Sequence, residues 1–225
     1  MITTIDGPTA SGKTTIARML AQKLGYYYLS SGLLFRGLAY VLVHDFLYSP
    51  ELINNPREHD IVKALDPRTF VYVYNHEQGE QLFVHGKNIT HELRGPTLSQ
   101  YASILGTHVQ VRAVLAALQH HIANDHDLVA EGRDMGSAIF PHAHIKFFLT
   151  ASLEVRAARW QKDQNAKGKD ISSEEARQEI QTRDDRDQSR AVAPLCIPEG
   201  ALIIDDSEMP QQQVVEQMIR EIQRN

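Results

Sequence analysis

A glycine-rich motif near the N-terminus constrains this chain more than any other feature of its sequence. Residues Gly7 to Thr14 match the pattern G-x-x-x-x-G-K-[ST]. The β-branched run Met1 to Asp6 precedes the motif, and a helical pattern continues to Leu24. In such a loop, successive backbone N–H groups and the positive end of the following helix point at phosphate oxygens. We therefore predict that ATP phosphates are bound by Gly7, Pro8, Thr9, Ala10, Ser11, Gly12, Lys13, Thr14 and Thr15.

Two side chains of this loop carry specific chemistry. Lys13 can reach the outer phosphates, and the Thr14 hydroxyl can ligate a Mg²⁺ ion that bridges them. The Asn-Lys-x-Asp and Asp-x-x-Gly motifs of signalling GTPases do not occur in the expected places. The loop therefore specifies the phosphoryl donor and leaves the acceptor open, with a small-molecule kinase as the leading class.

Apolar runs and helical patterns alternate along the chain. This alternation predicts an α/β fold in which a parallel sheet is flanked by helices. A second strand is predicted at Tyr26–Leu29, and later strands buried on both faces are predicted at Asp127–Ala130, Ile145–Leu149 and Ala201–Ile204. Further helices are predicted from Ser30 or Ser31 to Val43, and at Leu98–Ala123, Leu153–Gln164, Ser173–Arg190 and Gln211–Ile222.

One stretch breaks this alternation. Thr69–Tyr74 and Gln81–His85 are separated by a polar segment that contains Gly79, which is typical of a hairpin. Lys87–Ile89 can add a third strand. We therefore predict a small antiparallel insertion over about residues 66–95.

The composition narrows the class of protein. Of the 225 residues, 42% are hydrophobic and 23% are charged, which suits one globular core with a small subdomain. The single cysteine, Cys196, excludes an internal disulfide framework and a multi-cysteine zinc site. No basic leader precedes an apolar stretch, and no run approaches the roughly 20 apolar residues of a membrane span. We expect a soluble cytoplasmic monomer without a membrane partner, and the net charge of −5 argues against nucleic-acid binding.

Basic residues are concentrated between Arg156 and Arg190, which contain nine of the 23 Lys and Arg residues interleaved with eight acids. Pairs four residues apart on a solvated helix surface explain such a pattern. Because such surfaces are common, the pattern alone favours that reading over phosphate binding. Its position relative to the other motifs has to decide between them.

Three further segments carry acceptor-side candidates. Ser31 and Arg36 follow the second predicted strand, and Glu131-Gly-Arg-Asp-Met-Gly follows the third. Because ligands of open α/β sheets bind at the carboxyl ends of strands, both segments should face the phosphate loop. Arg183, Asp187 and Arg190 have the spacing of one helix face.

In this order, these segments resemble the bacterial cytidylate kinases, a family of the nucleoside monophosphate kinase group. The resemblance covers nearly the whole chain and rests on Ser30–Arg36, Gly132–Gly136, Phe140-Pro141 and Arg183–Leu195. It implies a P-loop NTPase fold of the nucleoside monophosphate kinase type, in a single kinase domain over residues 1–225. The implied core is 1–30, 97–151 and 191–225, with a monophosphate-binding region at about 31–96 and a helical lid at about 152–190.

The resemblance also implies roles for individual residues. Lys13, Arg133, Arg156, Arg159 and Arg190 are the implied catalytic residues, with Arg156 and Arg159 as lid arginines. The implied CMP-binding residues are Ser31, Arg36, Arg133 and Arg190 near the acceptor phosphate, Ser103, Arg112 and Asp134 at cytosine, and Asp187 with Arg183 at the ribose. Glu131 would bind Mg²⁺ through water. Asp184 and Asp185 are interpreted as surface acids of the helix.

The activity implied by the resemblance is transfer of the ATP γ-phosphoryl group to CMP and dCMP, with UMP as a poorer acceptor. A kinase for another small acceptor, such as UMP, AMP or shikimate, is an alternative, as is a regulatory module that binds ATP. Three positions depart from the usual family pattern: Ser30 replaces aspartate, Phe35 replaces tyrosine, and Glu131 is one methylene longer than aspartate.

Overall fold

The structure is a computed structural model that describes residues 1–224. Between strands β6 and β7 the chain forms a short π-helix, Met135–Ile139. The other elements, in chain order, are β1 (Ile2–Asp6), α1 (Lys13–Leu24), β2 (Tyr27–Ser30), α2 (Ser31–His44), α3 (Pro50–Ile53), α4 (Glu58–Ala64), β3 (Phe70–Asn75), β4 (Gly79–Val84), β5 (Lys87–Asn88), α5 (Pro96–Leu105), α6 (Val109–Asn124), β6 (Leu128–Gly132), β7 (Ile145–Thr150), α7 (Leu153–Ala166), α8 (Ser173–Ser189), β8 (Leu202–Asp205) and α9 (Gln211–Arg224).

The chain divides into two compact units, one formed by Met1–Leu24 and the chain from Val129 onward, the other by Gly25–Leu128. In the first unit, the strand order is β6-β1-β7-β8. Strand β7 pairs in parallel with β1, where Thr3 lies opposite Ile145, and with β8. The carboxyl ends of these paired strands therefore lie at one edge of the sheet, which is where the loops with polar side chains begin.

The sheet contributes part of the apolar core of this unit, and helices such as α1 and α9 contribute the rest. β1 is buried along nearly its whole length, and β7 alternates between buried and partly exposed residues. In β8, however, Leu202 and Ile203 are exposed, so the prediction that this strand is buried on both faces is wrong. β8 ends the strand order, and a strand at an edge has a neighbour on one side only. Helix α9 packs on α1 through an apolar stripe formed by Val214, Val215, Met218 and Ile222.

Helices α7 and α8 pack against each other. Serines start both helices: Ser152 accepts a hydrogen bond from the N–H of Val155, and Ser172 forms a capping box with Glu175. Helix α8 is strongly polar, yet one of its faces is buried and carries Ala176, Ile180, Asp184 and Asp187. A buried carboxylate needs a hydrogen-bond or charge partner. Asp184 pairs with Arg156, and Asp187 pairs with Arg133.

The second unit is built around α2 and a small sheet. Ser30 caps α2 by accepting from the N–H of Leu33, at 3.3 Å. β3 pairs antiparallel with β4 and β4 with β5, which confirms the predicted antiparallel insertion. A Cβ on Gly37 would lie 2.1 Å from the Leu82 side chain, so only glycine lets α2 approach this sheet so closely.

Other expectations differ from the structure in detail. The single helix predicted at 98–123 is two helices, α5 and α6, because the chain turns at Gly106 and His108 begins a new helix. The short helices α3 and α4 and the π-helix were not expected. The remaining predicted strands and helices are confirmed, with boundaries shifted by a few residues. No helix formed by residues 1–224 is long and apolar enough to cross a membrane.

Candidate active site

The phosphate loop connects β1 to α1 within the first unit. Gly7 has a φ of 152°, and a Cβ there would lie 2.0 Å from the backbone oxygen of Leu149. Only glycine therefore lets the loop leave the sheet so close to β7. Ala10 has a φ of 59°, a left-handed conformation that other contacts must hold in place.

Lys13 is buried at the start of α1. Its Nζ donates hydrogen bonds to the backbone oxygen of Pro8 at 2.5 Å and to Oγ of Ser11 at 3.1 Å. Burial, reinforced by the positive charge of Arg133, lowers the pKa of Lys13 to about 7, although Glu131 and Asp6 oppose the shift. An anion bound beside this ammonium group would raise its pKa again.

Two side-chain oxygens that could bind a cation lie next to Lys13, those of Thr14 and Glu131. The Thr14 hydroxyl donates to Oε1 of Glu131 at 3.4 Å, and the Glu131 side chain is buried. Within residues 1–224, no cluster of three or more His, Cys, Asp or Glu side chains is arranged to hold a metal ion. This sparse oxygen pair fits Mg²⁺, which commonly takes one or two protein ligands and completes its shell with water and phosphate oxygens.

Asp6, the last residue of β1, was not predicted to belong to the site. Its buried carboxylate accepts from the N–H groups of Met135 and Gly136, both at 2.7 Å. Burial raises the pKa of Asp6 to about 6, although these two hydrogen bonds oppose the shift. Asp6 thereby anchors the π-helix that directly follows Arg133 and Asp134. In the sequence, the position of Asp6 directly before the phosphate loop could have indicated a role in the site.

Arg133 links the segment after β6 to α8 and to the loop. Its Nε donates to Oδ2 of Asp187 at 2.8 Å, and its Nη2 donates to Oγ1 of Thr9 at 3.3 Å. The charge of Asp187 and of nearby acids raises the pKa of Arg133 despite its burial. The structure thus brings Arg133 and Asp187 together beside the phosphate loop, and their predicted binding roles stay predictions.

Arg156 and Asp184 form a buried ion pair between α7 and α8. Arg156 also donates to the backbone oxygens of Thr9 and Ala151, and Asp184 accepts from the N–H of Thr9 at 2.9 Å. The interpretation of Asp184 as a surface acid is therefore wrong. Its neighbour Asp185 is exposed and accepts from Gln181, as expected for the helix surface.

Arg159, one turn after Arg156, pairs with Asp206 just beyond β8. Its Nη1 lies 2.9 Å from Oδ1 of Asp206, and its Nη2 donates to the Asp206 backbone oxygen at 3.0 Å. Burial raises the pKa of Asp206, although Arg159 opposes the shift. Asp206 is not among the predicted site residues. Its position directly after a strand could have marked it as one.

The remaining predicted residues of the first unit lie on or near α8. Arg183 donates through Nε to Glu179 at 2.7 Å, four residues earlier on the helix. Arg190 is the C-cap residue directly after α8, one residue beyond the end of the helix. Its Nε donates to the backbone oxygen of Asp187 at 3.3 Å. Asp134 is buried just before the π-helix.

Four predicted CMP-binding residues belong to the second unit. Ser31 is buried as the first residue of α2, and Arg36 lies one turn further along that helix. Ser103 lies in α5. Arg112 is buried in α6, where its Nη1 donates to the backbone oxygen of Gly106 at 3.3 Å. Their predicted roles stay predictions.

Comparison with known proteins identifies the family. A family model described as cytidylate kinase matches residues 3–224. A cytidylate kinase of Caldanaerobacter subterraneus subsp. tengcongensis is 35% identical over 224 residues, which cover 98% of this chain and 94% of that protein. A cytidylate kinase of Chlamydia felis is 40% identical over 222 residues, which cover 97% and 96% of the two chains.

A solved structure supports the fold independently. An uncharacterized protein from Eubacterium ventriosum ATCC 27560 has a TM-score of 0.54 at 12% identity, covering 100% of this chain and 99% of its own. At that identity the likeness concerns the fold alone. The fold and the family match agree with the resemblance drawn from the sequence motifs, and the chain belongs to the cytidylate kinase family.

Proposed function

We propose that this protein transfers the γ-phosphoryl group of ATP to CMP and dCMP, with UMP as a poorer acceptor. The family match over residues 3–224 supports CMP as the acceptor. The observation that carries the proposal in the structure is the position of Lys13, buried in a curled loop and electrostatically coupled to Arg133, Glu131 and Asp187. A buried lysine with a lowered pKa, next to acids and an arginine, is typical of a functional site, and its place in a phosphate-loop motif favours phosphate as the ligand.

On the donor side, the loop residues Gly7 to Thr15 bind the ATP phosphates through backbone N–H groups and the N-terminus of α1. Lys13 neutralises the outer phosphates and becomes fully protonated beside them. Thr14 would hold Mg²⁺ directly and Glu131 would hold it through water, and the ion would supply further neutralisation of phosphate charge.

On the acceptor side, Arg36, Arg133 and Arg190 bind the CMP phosphate, because a planar guanidinium binds it bidentately and stays charged. Asp187 holds the ribose hydroxyls. The hydrogen bond that Asp187 accepts from Arg133 would fix the distance between the ribose and phosphate contacts. The remaining acceptor contacts are Ser31 near the phosphate and Arg183 as the orienting neighbour of Asp187.

Cytosine is read by Ser103, Arg112 and Asp134. A carboxylate such as Asp134 accepts from the exocyclic amine of cytosine, whereas uracil presents a carbonyl oxygen at that position. Arg112 donates to the ring carbonyl and ring nitrogen. A site built around such hydrogen bonds discriminates strongly, because the wrong base leaves buried polar groups unpaired.

Transfer requires positioning and charge neutralisation more than a general base, because the attacking CMP phosphate is already an anion. Lys13 and the arginines provide both. Residues of about 152–190 act as a lid, and Arg156 and Arg159 are its arginines. Closure of the lid would exclude water and prevent unproductive hydrolysis of ATP.

The organisation of the chain follows from this assignment. We place the monophosphate-binding region at about residues 31–96 and the kinase core at 1–30, 97–151 and 191–225. A cytoplasmic location fits the single cysteine, Cys196. We expect the protein to be a monomer.

The experiment that tests this function is a coupled assay of ADP release with MgATP and a panel of acceptors. CMP and dCMP should give the highest kcat/KM, followed by UMP. A preference for AMP, for GMP or for shikimate would reject the proposal. ADP release that does not depend on any acceptor would instead identify an ATP-hydrolysing module.

A further inference from the structure

The phosphate loop is held at Thr9 by side chains from outside the loop. The Thr9 N–H donates to Oδ1 of Asp184 at 2.9 Å, and the Thr9 backbone oxygen accepts from Nη1 of Arg156 at 3.1 Å. Arg156 and Asp184 are themselves paired. One ion pair therefore binds both backbone polar groups of a single loop residue.

The hydrogen bond from Thr9 to Asp184 has a direct consequence for Lys13. The peptide group between Pro8 and Thr9 presents its N–H to Asp184 and its oxygen to Nζ of Lys13, at 2.5 Å. Because a peptide group is planar, fixing its N–H direction also fixes the direction of its oxygen. Asp184 thus sets the acceptor against which the Lys13 ammonium group rests.

A second carboxylate of α8 reaches the same loop residue indirectly. Asp187, one turn after Asp184, binds Arg133, and Arg133 donates to Oγ1 of Thr9 at 3.3 Å. The N–H, the backbone oxygen and the hydroxyl of Thr9 are thus all held by groups on or paired with α8. A displacement of α8 would release the loop next to Ala10, whose left-handed backbone needs support.

Burial of the Asp184 carboxylate also costs desolvation free energy. Only 3% of its surface is exposed, and a buried carboxylate is tolerated only when it is paired and hydrogen-bonded. Packing of α7 on α8 needs no carboxylate, since hydrophobic residues of similar volume often stabilise such a position better. The geometry therefore favours a role in the loop over a role in packing alone.

We propose that Asp184 is a positioning residue for the phosphoryl donor: it orients the Pro8–Thr9 peptide and, through that peptide, Lys13. The proposal rests on the proposed function in taking ATP as the ligand of the loop. It adds a residue of the lid helix to the machinery that binds the donor.

The test compares Asp184→Ala and Asp184→Asn with the matched control Asp185→Asn, which changes the exposed neighbour on the same helix. Steady-state rates are measured with ATP and CMP varied separately, and ATP binding is measured by calorimetry. Asp184→Ala should raise the KM and the Kd for ATP about tenfold, a typical cost of a misplaced binding group. The KM for CMP should change less than about twofold, and Asp185→Asn should match the wild type.

Asp184→Asn separates hydrogen bonding from charge. Its amide oxygen can still accept from the Thr9 N–H, so its ATP affinity should lie between those of the wild type and Asp184→Ala. Asp184→Ala leaves Arg156 buried without its charge partner and is the variant more prone to misfold. If it does not fold, a weaker ATP affinity of Asp184→Asn relative to Asp185→Asn supports the proposal, and equal affinities overturn it.

A merely structural role predicts a different result. Partial unfolding would lower the fraction of active molecules, and hence kcat, while leaving the KM and Kd for ATP unchanged in the folded fraction. That outcome would overturn the proposal. If the wild type binds ATP but does not phosphorylate CMP, the proposed acceptor is wrong, and calorimetry with ATP alone still decides the role of Asp184.

Discussion

Two arginines of α7 pair with aspartates beside the phosphate loop, Arg156 with Asp184 of α8 near Thr9 and Arg159 with Asp206 after β8 near Gly12, and the two pairs differ in exposure. At Thr9, Arg156 and Asp184 have side chains that are 10% and 4% exposed. Near Gly12, Asp206 is 1% exposed but Arg159 is 35% exposed. A Cβ on Gly12 would lie 3.4 Å from Oδ2 of Asp206 and 3.9 Å from Nη1 of Arg159.

The difference indicates that one pair fixes the loop and the other can exchange partners. Arg156 is surrounded by the backbone oxygens of Thr9 and Ala151, so its departure would leave several buried groups unsatisfied. The Arg159 side chain is partly exposed to solvent, so moving it from Asp206 to a phosphate oxygen costs less desolvation free energy. We infer that, of these two arginines of α7, Arg159 is the one able to follow the phosphoryl group.

The largest expected effect is on stability at the Thr9 end. Arg156→Ala should lower the free energy of unfolding by about 3–5 kcal/mol, because it leaves a buried carboxylate without its charge partner. Urea unfolding at neutral pH measures this loss. The control is Arg177→Ala, whose side chain is more than half exposed and lies 4.0 Å from Glu154. Equal losses in these two variants would show that the buried Arg156–Asp184 pair stabilises the protein no more than an exposed ion pair does.

A smaller effect concerns protons at the Gly12 end, where Lys13 begins α1. Burial lowers the pKa of Lys13 to about 7, below the 10.5 of an exposed lysine, so stability from this group rises with pH between these values. Bound ATP phosphates should raise the pKa again, so binding takes up a proton above pH 7. As the pH rises above 7, the affinity for ATP should therefore fall by up to about tenfold per pH unit, or about 1.4 kcal/mol.

Calorimetry in two buffers of different ionisation enthalpy at pH 8.5 measures this proton uptake. Lys13→Met supplies the control, since its side chain has similar length and no titratable group. Proton uptake that is the same in the wild type and in Lys13→Met would show that Lys13 is already charged before ATP binds.

The phosphate loop could be predicted from the sequence, but the aspartates that contact it or its neighbouring segments could not, and the reason is physical. The chemistry of Lys13 and Thr14 is contained in eight contiguous residues, and their hydrogen bonds mostly stay within them. Asp6, Asp184 and Asp206 are buried by segments that lie far from them in the chain. Their burial therefore does not follow from the residues next to them in sequence. For Asp184 a signal existed, because Ala176 and Ile180 lie eight and four residues before it on one helix face.

The fold shows the same division between local and distant determinants. The strand and helix order followed from apolar periodicity and capping serines such as Ser30. The short helices α3 and α4 were missed because one or two turns carry little periodic signal. The exposure of β8 depends on its place in the strand order, which its own residues do not encode.

The smallest expected effect tests the exchangeable pair. Arg159→Ala should lower the free energy of unfolding by only about 1 kcal/mol at pH 8, since water can replace a partly exposed guanidinium. Burial raises the pKa of Asp206 and Arg159 lowers it, so removing Arg159 raises it further. The folded variant then binds a proton more tightly than its unfolded chain, and the deficit should shrink as the pH falls and Asp206 becomes neutral. Urea unfolding of variant and wild type at pH 8 and pH 5 measures the change. A deficit that is independent of pH, or as large as that of Arg156→Ala, would mean that both ends of the loop are equally fixed.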